Sequence, residues 1–263
     1  MSATRRVAVV GALGRMGEHV RAALRDEPSL RLCAALESPG HPGVGRDLGD
    51  GIVVSDDPKS ALRGCDVAID FSIPAATLAL AHTAADLGVA LVTGTTGFSA
   101  SERAELARVA ARIPVMSAPN FSIAVNVLFW LAREATRRLG PGYDAEIVEL
   151  HHAQKRDAPS GTALRLAEAV AEARGVELEP RLVLERAGEI GARPAGAIAV
   201  QSVRGGDNPG EHTLLLLGRG ERLELVHRAE TREHFARGAV RAAAWLVGQP
   251  PGLHRFETVL GIG

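Results

Sequence analysis

The chain reads as an α/β protein: a Rossmann-like, doubly wound parallel sheet in its first half, joined to an α+β unit with a mixed sheet. Three observations predict this. Through residue 121, short apolar runs alternate with Ala- and Leu-rich helical spacing, the pattern of a parallel sheet covered on both faces. The first apolar run leads into a glycine-rich turn and a helix. From 181 to 228, strand-like runs follow one another without intervening helices, as in a mixed or antiparallel sheet.

Taken in order, strands are expected at 6–10, 30–36, 52–54, 67–70, 89–92 and 114–117, with helices at 18–25, 75–87 and 101–112. Pro74 and Gly88 suit the start and stop of the second helix. After about residue 121 come a long helix at 125–139, closed by Gly140-Pro141-Gly142, a strand at 145–151 and a helix at 162–174. Within 181–228 the clearest pair is 214–217 and 223–227, around Gly218-Arg219-Gly220. A last helix, 232–246, is expected to pack back on the first domain.

Composition excludes several classes. At 263 residues the chain can bury two modest cores, built mainly from Ala, Val, Leu and Ile because aromatics make up 3%. Thirty basic and 31 acidic residues give a net charge of -1, which argues against a nucleic-acid partner. No apolar run approaches the roughly 20 residues of a membrane span, and Met1–Arg6 lacks the apolar region of a secretory signal. Cys33 and Cys65 are too few for a disulfide framework or a Cys-based zinc site. A reduced, cytoplasmic location is expected, with no bound metal.

The run Val7–Val10 opens into Gly11-Ala12-Leu13-Gly14-Arg15-Met16-Gly17. Glycine suits a tight turn and the close approach of backbone to a pyrophosphate, and the following helix start offers N–H groups and a favourable dipole. Leu13 stands where the usual fingerprint has its second glycine. Twenty residues past Gly17, Glu37 ends the second strand, where a carboxylate accepts hydrogen bonds from an adenosine ribose. Residues 11–17 and Glu37 are therefore expected to bind a nicotinamide dinucleotide. Ser38 offers no cation for a 2′-phosphate, so the reading leans toward NADH; Arg15 or Arg46 would supply that charge for NADPH.

The densest polar stretch is His151-His152-Ala153-Gln154-Lys155-Arg156-Asp157-Ala158-Pro159-Ser160-Gly161-Thr162. It holds two imidazoles, one of the chain's two lysines and a helix start within twelve residues. The helix start, with the Ser160 and Thr162 hydroxyls, suits a carboxylate. Lys155 and one imidazole suit a second carboxylate and a proton transfer. No third ligand lies at a metal-binding spacing.

Residues 149–163 resemble the signature of the 4-hydroxy-tetrahydrodipicolinate reductase (dihydrodipicolinate reductase) family. The resemblance extends to Gly11–Gly17, Gly94-Thr95-Thr96-Gly97-Phe98, Pro119-Asn120-Phe121-Ser122, Arg204-Gly205-Gly206, Gly210-Glu211-His212 and Phe235-Ala236-Arg237-Gly238-Ala239. It implies reduction of a small cyclic dicarboxylate imine by NADH or NADPH, with loss of a 4-hydroxyl as water, in lysine and diaminopimelate synthesis. By the same resemblance, His151 is the proton donor or its positioner and Lys155 a second catalytic residue. His152, Gly161 and Thr162 contact substrate carboxylates. Gly94, Thr95 and Thr96, with Ala118, Pro119, Asn120 and Phe121, flank the nicotinamide. It further implies a dinucleotide-binding domain from 1–121 and 232–263, a substrate-binding and oligomerisation domain at 122–231, and a homotetramer. Ser38 and Gln154 depart from positions that are often basic in the family.

Two other readings share parts of this pattern. A different two-domain nicotinamide oxidoreductase, of the amino-acid or semialdehyde dehydrogenase type, would need the glycine turn but not the 151–162 block. A non-catalytic dinucleotide-binding homologue would need no acid–base set.

Overall fold

Where the sequence offers short, unbroken apolar runs, the chain forms strands buried on both faces; Val67-Ala68-Ile69-Asp70 is buried at every position. In the computed structural model, residues 4–262 are described; Met1, Ser2, Ala3 and Gly263, which the sequence reading assigns to the first domain, lie outside them. The elements are β1 (Arg5–Val10), α1 (Arg15–Arg25), β2 (Leu30–Leu36), β3 (Val54–Ser55), α2 (Pro58–Ala61), β4 (Val67–Asp70), α3 (Pro74–Leu87), β5 (Ala90–Thr93), α4 (Ala100–Ala110) and β6 (Pro114–Ser117). They continue with α5 (Ile123–Leu139), β7 (Asp144–His151), α6 (Gly161–Arg174), β8 (Leu182–Val183), β9 (Ile198–Arg204), β10 (Glu211–Leu217), β11 (Arg222–Arg228), α7 (Glu233–Leu246), β12 (Gly252–His254) and α8 (Phe256–Val259).

These elements form two compact units, Met1–Ile123 with Arg232–Gly263, and Ala124–Thr231. In the first, seven parallel strands run in the order β12-β6-β5-β4-β1-β2-β3. The chain builds β2 and β3 on one side of β1, then returns to build β4, β5 and β6 on the other. That reversal leaves a crevice beyond the carboxyl ends of β1 and β4, where open α/β sheets bind ligands. One face of the sheet packs Val7, Val9, Ile69 and Val92 against Val20 and Leu24 of α1 and Ala239, Val240, Ala243 and Leu246 of α7. The other packs Ala8, Ala68, Leu91 and Val115 against α3 and α4. The expected strand at 52–54 is displaced: Leu48 and Ile52 close a turn over Gly49-Asp50-Gly51, so pairing with β2 begins only at Val54.

The second unit is a mixed sheet in the order β11-β10-β7-β9-β8. Strands β8 and β9 run parallel to β7, and β10 is antiparallel to both β7 and β11. Every second residue of β7 is buried: Ala145, Ile147, Glu149 and His151. The first two join α5 and α6 in an apolar core. The last two are polar, and they pair across the sheet with polar neighbours: Glu149 with Ser202 and His212, and His151 with Arg204. One end of an otherwise apolar face is therefore polar. Among the described residues, no helix is long and apolar enough to cross a membrane.

Candidate active site

The polar end of the second unit is organised around Glu149. Its carboxylate is fully buried. Oε1 accepts from Arg204 Nη2 at 2.7 Å and from the Ser160 N–H at 3.1 Å; Oε2 accepts from Arg204 Nη1 at 2.8 Å and lies 2.5 Å from His151 Nδ1. The His151 ring meets His212 edge to face at 5.2 Å. His212 Nε2 lies 3.1 Å from Ser160 Oγ, and that oxygen also caps α6 by accepting from the Ala163 N–H.

Burial pushes the Glu149 carboxyl up, but hydrogen bonds from Arg204, Ser202 and His151 outweigh it and hold the group at about 2. Glu149 is therefore ionised at neutral pH. Burial lowers the His151 imidazole, and the bond to Glu149 opposes that shift. His212 is driven down to about 3, first by burial and then by the neighbouring His151, so it is neutral.

Lys155 Nζ lies 2.9 and 3.0 Å from the two Asp157 oxygens. The Lys155 side chain is mostly covered while Asp157 is largely exposed, so the carboxylate is the partner with room to move. The His152 N–H donates to Asn208 O at 2.9 Å and the Lys155 N–H to His152 O at 3.1 Å, which turns the loop back toward the sheet. Gly161 and Thr162 open α6, where N–H groups lack intrahelical acceptors. A Cβ on Gly161 would meet nothing within 4 Å, so the helix start is uncovered on that side. The second unit thus gathers His151, His152, Lys155, Gly161 and Thr162 around one strand end and one helix start.

In the first unit, residues 11–17, Glu37, 94–96 and 118–121 follow β1, β2, β5 and β6. Because these strands are parallel, all of these residues lie along one edge of the sheet. Gly11 takes a positive φ of 66°. Gly14 precedes α1 with no side-chain cap, which leaves the helix start bare for an anion. Gly17 packs on the turn; a Cβ there would run into Gly11 O and come within 2.7 Å of Ala12 Cα. Glu37 Oε1 accepts from the Leu13 N–H at 2.7 Å, tying the end of β2 to the turn. Arg15 is exposed and Met16 half-buried on the first turn of α1. An uncapped helix start, a glycine turn and a strand-end carboxylate fit a dinucleotide.

Two of these residues face inward. Thr95 is buried, its hydroxyl 3.2 Å from Asp70 Oδ2, and that oxygen also accepts from Thr77 at 2.6 Å and Thr93 at 2.9 Å. The Phe121 ring packs edge to face on Phe71 and Phe256, in the core. Thr96 and Pro119 are exposed, Ala118 is buried, and Asn120 Oδ1 accepts from the Ser122 N–H at 2.8 Å. Gly94 lies against the Phe71 ring, where any side chain would collide with it.

Sequence reasoning gave no role to Glu149, Arg204, His212 or Asp70. The Glu-x-His spacing of 149 and 151 was a usable signal, since alternate strand residues share a face. Arg204 is 55 residues from Glu149, and no local pattern links them.

Residues 5–121 match the family described as dihydrodipicolinate reductase, N-terminus, and residues 124–260 match dihydrodipicolinate reductase, C-terminus. A 4-hydroxy-tetrahydrodipicolinate reductase of Anaeromyxobacter dehalogenans is 49% identical over 98% of both chains. One from Geobacter sulfurreducens is 46% identical over 98% of this chain and 99% of its own. Among solved structures, the dipicolinate-bound dihydrodipicolinate reductase of Paenisporosarcina sp. TG-14 superposes with a TM-score of 0.80 at 26% identity, covering 96% of this chain and 97% of that one. With both units matched and relatives this similar end to end, the chain belongs to the dihydrodipicolinate reductase family.

Proposed function

We propose that the protein catalyses the NADH- or NADPH-dependent reduction of 4-hydroxy-2,3,4,5-tetrahydrodipicolinate to tetrahydrodipicolinate, with loss of water, in lysine and diaminopimelate biosynthesis. The observation that carries this reading is a family relationship spanning both units, joined to an acid–base cluster at the strand end of the second.

The first unit takes the dinucleotide. Residues 11–17 at the bare start of α1 would hold its pyrophosphate, Glu37 its ribose, and 94–96 and 118–121 its nicotinamide. Thr95 and Phe121 contribute through backbone, because their side chains are engaged inward. Glu37 followed by Ser38 favours NADH, and the exposed Arg15 and Arg46 offer charge to a 2′-phosphate. When bound, the cofactor supplies a hydride for C4 of the substrate.

The second unit holds the dicarboxylate. One carboxylate meets the Gly161-Thr162 helix start and His152; the other draws Lys155 Nζ away from Asp157. The reaction adds one hydride at C4, and the 4-hydroxyl takes up a proton and leaves as water. His151 and Lys155 hold and move that proton. The Paenisporosarcina relative carries dipicolinate, a planar ring dicarboxylate, which supports this substrate class.

The second unit also carries the basis for a homotetramer. The face of its sheet opposite α6 shows half-buried Val148, Leu150, Thr213 and Leu215, with exposed Val203 and Val226. Such a face is suited to cover by another copy. The site needs no nucleic-acid or membrane partner, and free Cys33 and Cys65 suit the cytoplasm.

Nicotinamide oxidation followed with the aspartate-semialdehyde/pyruvate condensation product tests the activity. Turnover with NADH, and a comparison with NADPH, is expected. No turnover with either cofactor rules the assignment out.

A further inference from the structure

Glu149 occupies a position where a carboxylate is costly. It is fully buried, on the strand face that Ala145 and Ile147 line with apolar side chains. An ionised group survives there only if its oxygens are fully engaged. The Arg204 fork binds both of them, and Arg204 Nη2 also reaches Asp157 O at 2.7 Å. A bidentate fork fixes the plane of the carboxylate as well as its place. Arg204 and the Ser160 N–H would suffice for a purely structural pair. Beyond these and the Ser202 hydroxyl, one contact goes to a titratable ring, at His151 Nδ1.

That contact determines what His151 can do. An ionised carboxylate only accepts, so Nδ1 carries a hydrogen, and the neutral ring keeps its lone pair at Nε2. The Nε2 edge faces Gly210, which has φ +150°. A Cβ at Gly210 would stand 2.8 Å from Nε2 and 3.1 Å from Cδ2, so glycine keeps that nitrogen clear. The charged and titratable groups acting on His151 are Glu149 on its own strand, Arg204 on β9, His212 on β10 and Lys155 in the loop. Glu149 is the anion in direct contact.

We propose that Glu149 is a positioning residue for the reduction: held by Arg204, it fixes the His151 ring in one orientation and tautomer, with Nδ1–H turned into the unit and Nε2 exchanging the proton with substrate. This rests on the reading of His151 as an acid–base group. His151 then takes up the proton it delivers at Nε2, and the adjacent Glu149 stabilises the imidazolium, as a buried carboxylate does for the histidine of a serine protease.

Two measurements on the full chain test it. Nitrogen-15 NMR of the histidine-labelled wild type, with the His151 signal assigned by its loss in His151→Gln, should show Nδ1 protonated and Nε2 bearing the lone pair. An Nε2–H tautomer would overturn the proposal, and this readout does not depend on any variant folding. In steady-state kinetics, Glu149→Gln should lower kcat roughly 10²-fold with an unchanged KM for NADH. Where kcat falls with rising pH, that limb should move to lower pH, because the imidazolium has lost its anion. Glu149→Asp, which keeps the charge, should recover part of the shift. If Glu149→Gln keeps the wild-type pH profile and kcat within about threefold while His151→Gln loses about 10²-fold, the proposal fails and the catalytic reading of His151 stands. If His151→Gln is itself near normal, the catalytic reading fails and the proposal with it.

Discussion

Lys155 carries its charge beside Asp157, so an anionic substrate must compete with an exposed carboxylate for it. Lys155→Ala is expected to lower kcat roughly 10²-fold while leaving the NADH dissociation constant unchanged, because Lys155 is remote in sequence from the glycine turn. Near-normal turnover would remove its catalytic role. In the proposed function Glu37 has two duties, since beside the ribose contact its Oε1 holds the Leu13 N–H. Glu37→Ala should therefore weaken NADH binding about tenfold or more, the scale of a lost charge-assisted hydrogen bond; an unchanged constant by calorimetry would count against the ribose contact. The 151–162 block was legible at this scale because it is contiguous in sequence. Its supports from neighbouring strands were not: Arg204 and His212 reach Glu149 and His151 by strand pairing, and pairing leaves no local trace.

Among elements, legibility followed length and regularity. β7 alternates cleanly, buried at every second position from Ala145 to His151, and the strand expected at 145–151 reflects that. β9 is buried through its first three residues and then open, which matches neither a covered nor an alternating strand. β12 has three residues and α8 four, too short to show a period. The turn between β1 and α1 is where element packing and the proposed cofactor site meet. Gly17 is there because α1 lies directly on the turn, a close approach that needs no ligand. Gly17→Ala is expected to cost about 1–3 kcal/mol through overpacking, lowering Tm by several degrees, on the order of 2–4 °C per kcal/mol. Differential scanning fluorimetry without cofactor would show this; an unchanged Tm would mean that the helix can move off the turn freely.

For the whole molecule, two buried groups tie stability to pH. His212 sits at about 3 against an ordinary 6.5, so between those values the unfolded chain holds a proton that the folded chain does not. Stability from this group is complete above 6.5 and is lost as pH falls toward 3. Glu149, at about 2 against 4.5, acts in the same direction between 4.5 and 2. The urea midpoint should fall as pH drops below 6.5, more steeply below 4.5, and His212→Asn should flatten the upper part of that slope. A midpoint constant from pH 7.5 to 5 would contradict a buried neutral His212. The proposed homotetramer has its own test. Val226→Asp on the open sheet face should lower the sedimenting mass, and an unchanged mass would place the contact elsewhere. The parallel sheet was legible as a fold because its first six strands all fall within one stretch of chain, residues 5–117, whereas β12 arrives from the far end of the sequence. That return has a consequence during synthesis. The face of the sheet carrying Ile69 and Val92 is covered by α7, residues 233–246, which leave the ribosome after the entire second unit. Until then the first unit exists as an unfinished sheet, covered by α1 over β1 and β2 but bare over β4 and β5 on that side. Its completion therefore waits for synthesis of the second unit, and the nascent chain exposes a surface that chaperones recognise.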